Sequence, residues 1–215
     1  MLVKERMSQR PILCATDLPV SDALEQMKQE RIRRMPVVDK QGHLIGIVSD
    51  KDLLKASPSP ATSLSVWEIT YLLSKLKVGD VMTKKVITVV EDTPIEDAAR
   101  VMVDNKIGGL PVVNGEGAVV GIITETDIFK TFIELLGARK HGARVTMYVV
   151  DVRGQLAKIT QAVADAGGNI VACVEVPGMD STNYEVLLKV IDVQKDKLVE
   201  VLTPHVVKII DVREV

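Results

Sequence analysis

Two long stretches of this chain are related by one offset of 75 positions, because residues 3–55 align with residues 78–130 without a gap. The alignment holds 17 identities in 53 positions, whereas unrelated segments of ordinary composition share roughly three or four. The tripeptide Pro-Val-Val at residues 36–38, for example, recurs at residues 111–113. Because an internal repeat determines the architecture of a chain, we expect two copies of one structural unit.

Both copies predict the same order of elements. A short extended piece (residues 12–15 and 86–90) precedes a helix that begins after a proline. Two strands joined by a glycine turn follow, at residues 36–39 and 44–48 of the first copy, and a short helix covers residues 50–56. The unit is therefore predicted as βαββα. One face of its first helix is apolar at the i, i+3, i+4, i+7 spacing, through Val20, Ala23, Leu24 and Met27 in the first copy and Ile95, Ala98, Ala99 and Met102 in the second.

The charge is balanced along the chain. Residues 1–143 carry 19 basic and 19 acidic side chains, and residues 144–215 carry 8 and 10. Such a balance does not favour nucleic-acid binding by counterion release. No apolar run reaches the roughly 20 residues that a membrane span needs, and residues 1–10 lack the apolar centre of a signal peptide. We therefore expect a cytoplasmic protein that binds neither nucleic acid nor a membrane.

Composition bounds the fold class and the chemistry. Only 3% of the residues are aromatic, so the core has to be built from aliphatic side chains packed in layers, which favours an α/β or α+β fold. Cys14 and Cys173 lie far apart, with no second Cys or His beside either. The sequence therefore predicts no metal site and no redox motif.

A short motif, Gly-h-h-[Ser/Thr]-x-x-Asp (h is apolar), ends the second strand of each copy. One interpretation is structural, because Ser49 or Thr124 can cap the next helix while Asp52 or Asp127 bonds back to the cap. The other is functional: a carboxylate offers two acceptors to the hydroxyls of a ribose, and hydroxyl and N–H groups suit a phosphate. Both roles can coexist in one motif.

The two copies differ just before the first hairpin strand. The first copy has Arg33 and Arg34, and the second has Gly108 and Gly109 at the matching positions. The arginines are either solvated surface residues or phosphate ligands. If the copies pack as a pair, this difference predicts two unequal pockets, with phosphate charge closer to the arginines.

The repeated unit and its motif resemble a CBS domain pair, or Bateman module, over residues 1–136. The resemblance implies a disc of two repeats with clefts between them for AMP, ADP, ATP or another adenosyl compound such as S-adenosylmethionine. An adenine nucleotide would then be a regulatory ligand, and no cofactor is implied. By the same resemblance, Ser49, Asp52, Thr124 and Asp127 would hold ribose and phosphate, Ile12 and Ile87 would flank the base, Arg33 and Arg34 would reach phosphates, and Gly108 and Gly109 would line the matching wall.

The remaining sequence predicts a further domain. We expect repeat one at residues 1–60, a helical linker at 61–77, repeat two at 78–136, a polar hinge at 137–143 and a C-terminal domain at 144–215. The C-terminal pattern is βαββαβ, the split-βαβ plan of a ferredoxin-like sandwich. Its predicted elements are strands at 144–151, 169–176, 184–191 and 206–212 and helices at 155–166 and 194–202.

The turn after the first of these strands and the Gly-Gly-Asn-Ile sequence at 167–170 are similar to the ACT-domain signature. That likeness implies an amino-acid effector whose carboxylate meets helix N–H groups at a subunit interface. Glycine in a tight turn is equally a structural need, and Arg153 stands where the signature commonly has Pro. The positions carried over are Asp151, Gly154, Gln155, Leu156 and Asn169.

The order of CBS pair, Ser-Pro linker and ACT-like tail resembles the acetoin-utilisation AcuB-type proteins, which implies a regulatory role in acetoin metabolism. We therefore expect a homodimeric regulatory sensor with an unidentified target protein. A ligand-free scaffold that only pairs subunits is an alternative. An enzyme is a weaker one, because Asp52 and Asp127 have no His, nucleophilic Lys or metal set beside them.

Overall fold

A computed structural model describes residues 1–56 and 75–215. The predicted helical linker at 61–77 lies outside these residues except for residues 75–77. The chain divides into two compact units, Met1–Ile128 and Phe129–Val215. The division lies within the helix Glu125–Leu135 and thus before the segment 137–143 that was predicted as a hinge. After this helix, Gly137 packs against Val171 of the same second unit.

Both copies have the predicted order of a helix, a two-stranded hairpin and a second helix, and the bounds predicted for the hairpin and second helix of the first copy agree to within two residues. The first extended pieces are single parallel bridges, Cys14 to Val37 and Val89 to Val112, rather than strands. The first copy contains β1 (Ser8–Gln9), α1 (Val20–Gln29), β2 (Arg34–Val38), β3 (Leu44–Ser49) and α2 (Asp50–Ala56). The second contains α3 (Val78–Val81), α4 (Ile95–Asn105), β4 (Gly109–Val113), β5 (Val119–Thr124) and α5 (Glu125–Leu135).

Helices α1 and α4 bury the faces that the sequence predicts. Val20, Ala23 and Met27 of α1 are buried, and so are the matching Ile95, Ala98 and Met102 of α4. Each helix follows a proline in extended conformation, which suits the first turn because that turn needs no N–H from the proline. The apolar stripes therefore fix how each helix packs on its hairpin.

The N-terminal segment of each repeat packs against the hairpin of the other repeat, so the two segments are exchanged. Strand β1 of the first repeat pairs with β5 of the second, and Thr83 of the second bridges to Ile47 in β3 of the first. Val3 is fully buried in the core of the second repeat, and Val78 in the core of the first. Neither core is complete without residues from the other repeat.

The glycine of each Gly-h-h-[Ser/Thr]-x-x-Asp motif marks a close approach between the repeats. A Cβ on Gly46 would collide with Sδ of Met82, and a Cβ on Gly121 would collide with Sδ of Met7. The two methionines lie 75 positions apart, as the two glycines do. The glycine therefore has a packing role in both copies, which is separate from any role in ligand binding.

The second unit has the βαββαβ order that the sequence predicts. Its four strands are β6 (Ala143–Val150), β7 (Asn169–Pro177), β8 (Asn183–Ile191) and β9 (Lys208–Glu214). They form one antiparallel sheet in the order β7-β8-β6-β9, which is the ferredoxin-like split-βαβ arrangement. The fold-class prediction of α/β (α+β) repeats followed by a ferredoxin-like domain is thus confirmed. The helices are α6 (Gln155–Asp165) and α7 (Lys195–Leu202).

One face of this sheet forms the core of the second unit with the two helices. Val145, Met147 and Val149 alternate along β6 with more exposed or polar residues, as expected for a strand with one apolar face. Ile159 of α6 and Leu198 of α7 are fully buried against that face.

Candidate functional site

Ser49 and Asp52 form a reciprocal cap at the start of α2. The backbone N–H and the hydroxyl of Ser49 both donate to Oδ2 of Asp52, at 3.0 and 2.6 Å. The backbone N–H of Asp52 points back to Oγ of Ser49 at 3.3 Å. These contacts fix the carboxylate of Asp52 at the end of β3, half-buried. Within residues 1–56 and 75–215, no hydrogen bond reaches its other oxygen, Oδ1.

Thr124 and Asp127 reproduce this geometry in the second repeat. The N–H and the hydroxyl of Thr124 donate to Oδ2 of Asp127 at 3.0 and 2.7 Å. The structural interpretation of the motif therefore holds in both copies. In each repeat the N–H and the hydroxyl of the Ser or Thr bond to Oδ2 of the Asp. This cap orients the carboxylate and is compatible with ligand binding.

The hairpin register places the motif beside the positions where the repeats differ. Arg34 lies opposite Ser49 across β2 and β3, and Gly109 lies opposite Thr124 across β4 and β5. The neighbouring backbone is also equivalent, because the N–H of Asp50 donates to the carbonyl of Arg33 and that of Glu125 to the carbonyl of Gly108. The two repeats thus have the same backbone arrangement at these positions and differ in their side chains.

Arg34 crosses from the first repeat to the glycines of the second. Nη2 of its guanidinium contacts the position that a Cβ on Gly108 would take, and its Cδ lies 3.3 Å from the corresponding position on Gly109. The carboxylate Oε2 of Glu125 is 2.6 Å from the same position on Gly108. The two glycines are buried and leave the space that Arg34 fills. The structure thus brings together Arg34, Gly108, Gly109 and Thr124.

The other predicted ligand residues are less closely joined to this site. Arg33 is exposed, Ile12 packs against the core of the first repeat, and Ile87 is 39% exposed. Sequence reasoning missed Glu125, whose position beside Arg34 depends on packing between the repeats. The only available signal was that Glu125 follows Thr124 within the motif.

Four of the predicted effector residues of the second unit lie at one end of its sheet. Asp151 and Leu156 flank the turn between β6 and α6, and Gly154 in that turn has φ +82°, a conformation that favours glycine. The side-chain amide of Gln155 donates to the carbonyl of His205 at 2.6 Å. That amide is thus used to join the start of α6 to the segment before β9.

Asn169 lies at the opposite end of the sheet. It is the first residue of β7 and pairs with Ile191, whereas Asp151 follows the last residue of β6, which pairs with Asn183. The full length of β8 separates these two ends. Asn169 therefore does not join the other four predicted effector residues within one copy of the chain.

Two buried ionisable groups have shifted pKa values. Burial raises the pKa of the Cys14 thiol to about 11. Burial, and secondarily the charge of Arg144, lowers the pKa of Lys189, whose Nζ donates to the carbonyl of Val215 at 2.9 Å. Neither residue lies in the motif region of the first unit.

Residues 1–56 and 75–215 contain neither a metal-binding cluster nor a membrane-spanning helix. No group of His, Cys, Asp and Glu side chains in these ranges has the arrangement of a metal site. In the same part of the chain, no helix has both the length and the apolar composition required to cross a bilayer.

Comparison with known proteins gives a match to one family model. The model, described as CBS domain, matches residues 3–59 and again residues 78–134. These two ranges reproduce the internal repeat, and both end before the ferredoxin-like sheet begins.

Solved structures are similar over the same part of the chain. The CBS domain pair of protein MJ0100, in complex with 5′-methylthioadenosine and S-adenosyl-L-methionine, is 31% identical, with 65% of this chain and 98% of that chain covered and a TM-score of 0.53. CBSX2 of Arabidopsis thaliana, in complex with AMP, is 32% identical, with coverages of 65% and 98% and a TM-score of 0.52. A Vibrio cholerae protein provisionally assigned as the acetoin utilization protein AcuB is 32% identical, with coverages of 65% and 95% and a TM-score of 0.53.

Proposed function

The chain belongs to the CBS domain family, and from this premise we propose that its first unit is a non-catalytic sensor that binds an adenosine-containing ligand between the two repeats. The duplicated cap is the observation that carries the proposal. Both repeats hold an Asp carboxylate in the same orientation through the same two hydrogen bonds. An oriented carboxylate is suited to accept hydrogen bonds from the vicinal hydroxyls of a ribose.

The ligand class follows from what the similar structures contain. AMP, 5′-methylthioadenosine and S-adenosyl-L-methionine share an adenosine moiety and differ in the group at its 5′ end. We propose that Asp52 and Asp127 bind the ribose, that Ser49 and Thr124 support this contact, and that Ile12 and Ile87 flank the base. AMP, ADP, ATP and S-adenosylmethionine are the candidate regulatory ligands.

We propose a second, ACT-like effector site in the second unit, for the carboxylate of an amino acid. The ferredoxin-like strand order and the left-handed Gly154 at the start of α6 support this site. Asp151, Gly154, Gln155 and Leu156 are its candidate residues, since Asn169 lies at the other end of the sheet. Free amino acids, screened singly by thermal shift, test this part, and no shift with any of them would contradict it.

We further propose that the protein acts as a homodimer that regulates a target protein in acetoin utilization. The likeness to the Vibrio cholerae protein supports the pathway, and two-fold symmetric dimers are the commonest homo-oligomers of soluble proteins. Sedimentation velocity tests the dimer, and growth on acetoin after deletion of the gene tests the pathway.

Isothermal titration calorimetry tests the proposed sensor. Wild-type protein is titrated with AMP, ADP, ATP and S-adenosylmethionine, beside Asp52→Ala, Asp127→Ala and the exposed control Asp104→Ala. We expect micromolar binding that each motif variant weakens about tenfold or more and that the control leaves unchanged. Binding heat with none of the four ligands would favour the scaffold alternative, and product formed from any of them would favour an enzyme.

A further inference from the structure

Arg34 is half-buried, and its guanidinium forms no hydrogen bond or ion pair with any of the residues described. It extends over Gly108 and Gly109, beside the strand that ends in Thr124. A guanidinium has five N–H donors and no acceptor, so a half-buried one without a partner suits an anionic ligand.

Among the residues that the structure describes, this arrangement occurs on one side of the repeat pair only. The residue that corresponds to Arg34 in the second repeat is Gly109, so no arginine reaches back over Arg33 and Arg34. The guanidinium of Arg34 belongs to the first repeat but therefore lies on the side of the second repeat's motif, which contains Thr124 and Asp127. The repeat equivalent of Glu125 is Asp50, which has no arginine from the other repeat beside it at these positions.

Glu125 places a carboxylate close to this guanidinium. Nη2 of Arg34 and Oε2 of Glu125 both approach the Cβ position of Gly108, the latter to 2.6 Å, so less than about 5 Å separates them. The two groups are close enough to attract each other, yet they do not form an ion pair. A ligand phosphate that binds Arg34 has to approach the carboxylate of Glu125, and the repulsion grows with the number of phosphate charges.

We propose that Glu125 is a specificity-determining residue of the cleft that carries Thr124 and Asp127. Its carboxylate competes with the ligand for Arg34 and repels additional phosphates, so the cleft prefers an adenosine ligand with one phosphate to one with three. This inference rests on the proposed adenosine-binding function, and it adds which group of the ligand is selected and by which residue.

Calorimetry with adenosine, AMP and ATP in magnesium-free buffer tests the inference in full-length protein. The variants are Glu125→Gln, which removes the competing charge, Arg34→Gln, which removes the cation, and the matched control Asp50→Asn at the equivalent position of the first repeat. Thermal unfolding of each variant confirms that it is folded.

We expect wild-type protein to bind AMP more tightly than ATP. Glu125→Gln should tighten AMP binding about threefold and ATP binding about tenfold, and Arg34→Gln should weaken AMP binding about tenfold, with adenosine unchanged in both. An unchanged ratio of ATP to AMP affinity in Glu125→Gln, or an equal change of that ratio in Asp50→Asn, would overturn the inference. Absence of binding of all three ligands to wild-type protein would overturn the proposed function, and the inference with it.

Discussion

Met82 of the second repeat occupies the space that a side chain on Gly46 of the first repeat would need. The reciprocal contact, Met7 against Gly121, occurs on the other side of the repeat pair. These contacts join the exchanged segments to the hairpins, so the motif glycines and the exchange of segments depend on each other.

Gly46→Ala should therefore destabilise the protein by about 1–3 kcal/mol, because the new methyl group has to displace Met82 from a packed interface. In the double variant Gly46→Ala, Met82→Ala part of this loss should be recovered, since the shorter side chain leaves room. Urea unfolding measures both values. Gly115→Ala is the control, because a Cβ there meets no atom within 4 Å. If the losses in free energy of unfolding caused by Gly46→Ala and Met82→Ala simply added in the double variant, the contact between the two residues would be contradicted.

Val3→Ala should lower the free energy of unfolding by about 1–2 kcal/mol, although Val3 lies close to the start of the sequence. The reason is that Val3 is fully buried in the core of the second repeat. Val103→Ala, at a position that is 75% exposed, should change stability by less than about 0.5 kcal/mol. Equal effects of the two changes in thermal unfolding would refute the exchange of segments.

Ser49→Ala and Thr124→Ala should each cost about 1 kcal/mol in the absence of ligand, because each removes a helix cap. The exposed Thr126 lies in the same helix as the second cap, so Thr126→Ala controls for helix propensity. Chemical denaturation measures the losses. If either cap variant matched wild-type stability, the motif would have no capping role in that repeat.

The two cysteines should differ in reactivity with Ellman's reagent near pH 8. Cys14 is 6% exposed and burial raises its pKa to about 11, so about one thiol in a thousand is ionised there and the reagent has no access. Cys173 is exposed and should react in native protein. We expect one fast thiol per chain, and two after unfolding in urea; two fast thiols in native protein would contradict the packing of Cys14.

Lys189 should make stability depend on pH in the alkaline range. Its pKa in the folded protein is lowered, so between that value and the ordinary one the unfolded chain binds more protons, and the free energy of unfolding rises with pH. Lys189→Met should flatten this rise, and the exposed control Lys158→Met should not. Urea unfolding from about pH 8 to about pH 10 measures the slopes, and equal slopes would exclude the contribution of Lys189.

The sequence predicted those parts of the structure that depend on local patterns. The offset of 75 residues established two similar units, and the periodicity of α1 and α4 predicted their buried faces, since an apolar stripe has to face a core. The motif predicted both caps, because Ser49 and Asp52 are close in sequence and interact within one turn of helix. The βαββαβ order likewise followed from periodicity and turn residues.

The relationships between distant residues depended on the tertiary structure. An apolar residue such as Val3 predicts burial, but its pattern is the same whichever core it enters, so the exchange of segments is not encoded locally. Arg34 reaches Gly108 only because the repeats pack across their glycines. Asn169 is separated from Asp151 because each lies at a different end of its strand. Local patterns thus determined what each segment forms, while packing between segments, which hydrophobic burial drives without direction, determined which side chains meet.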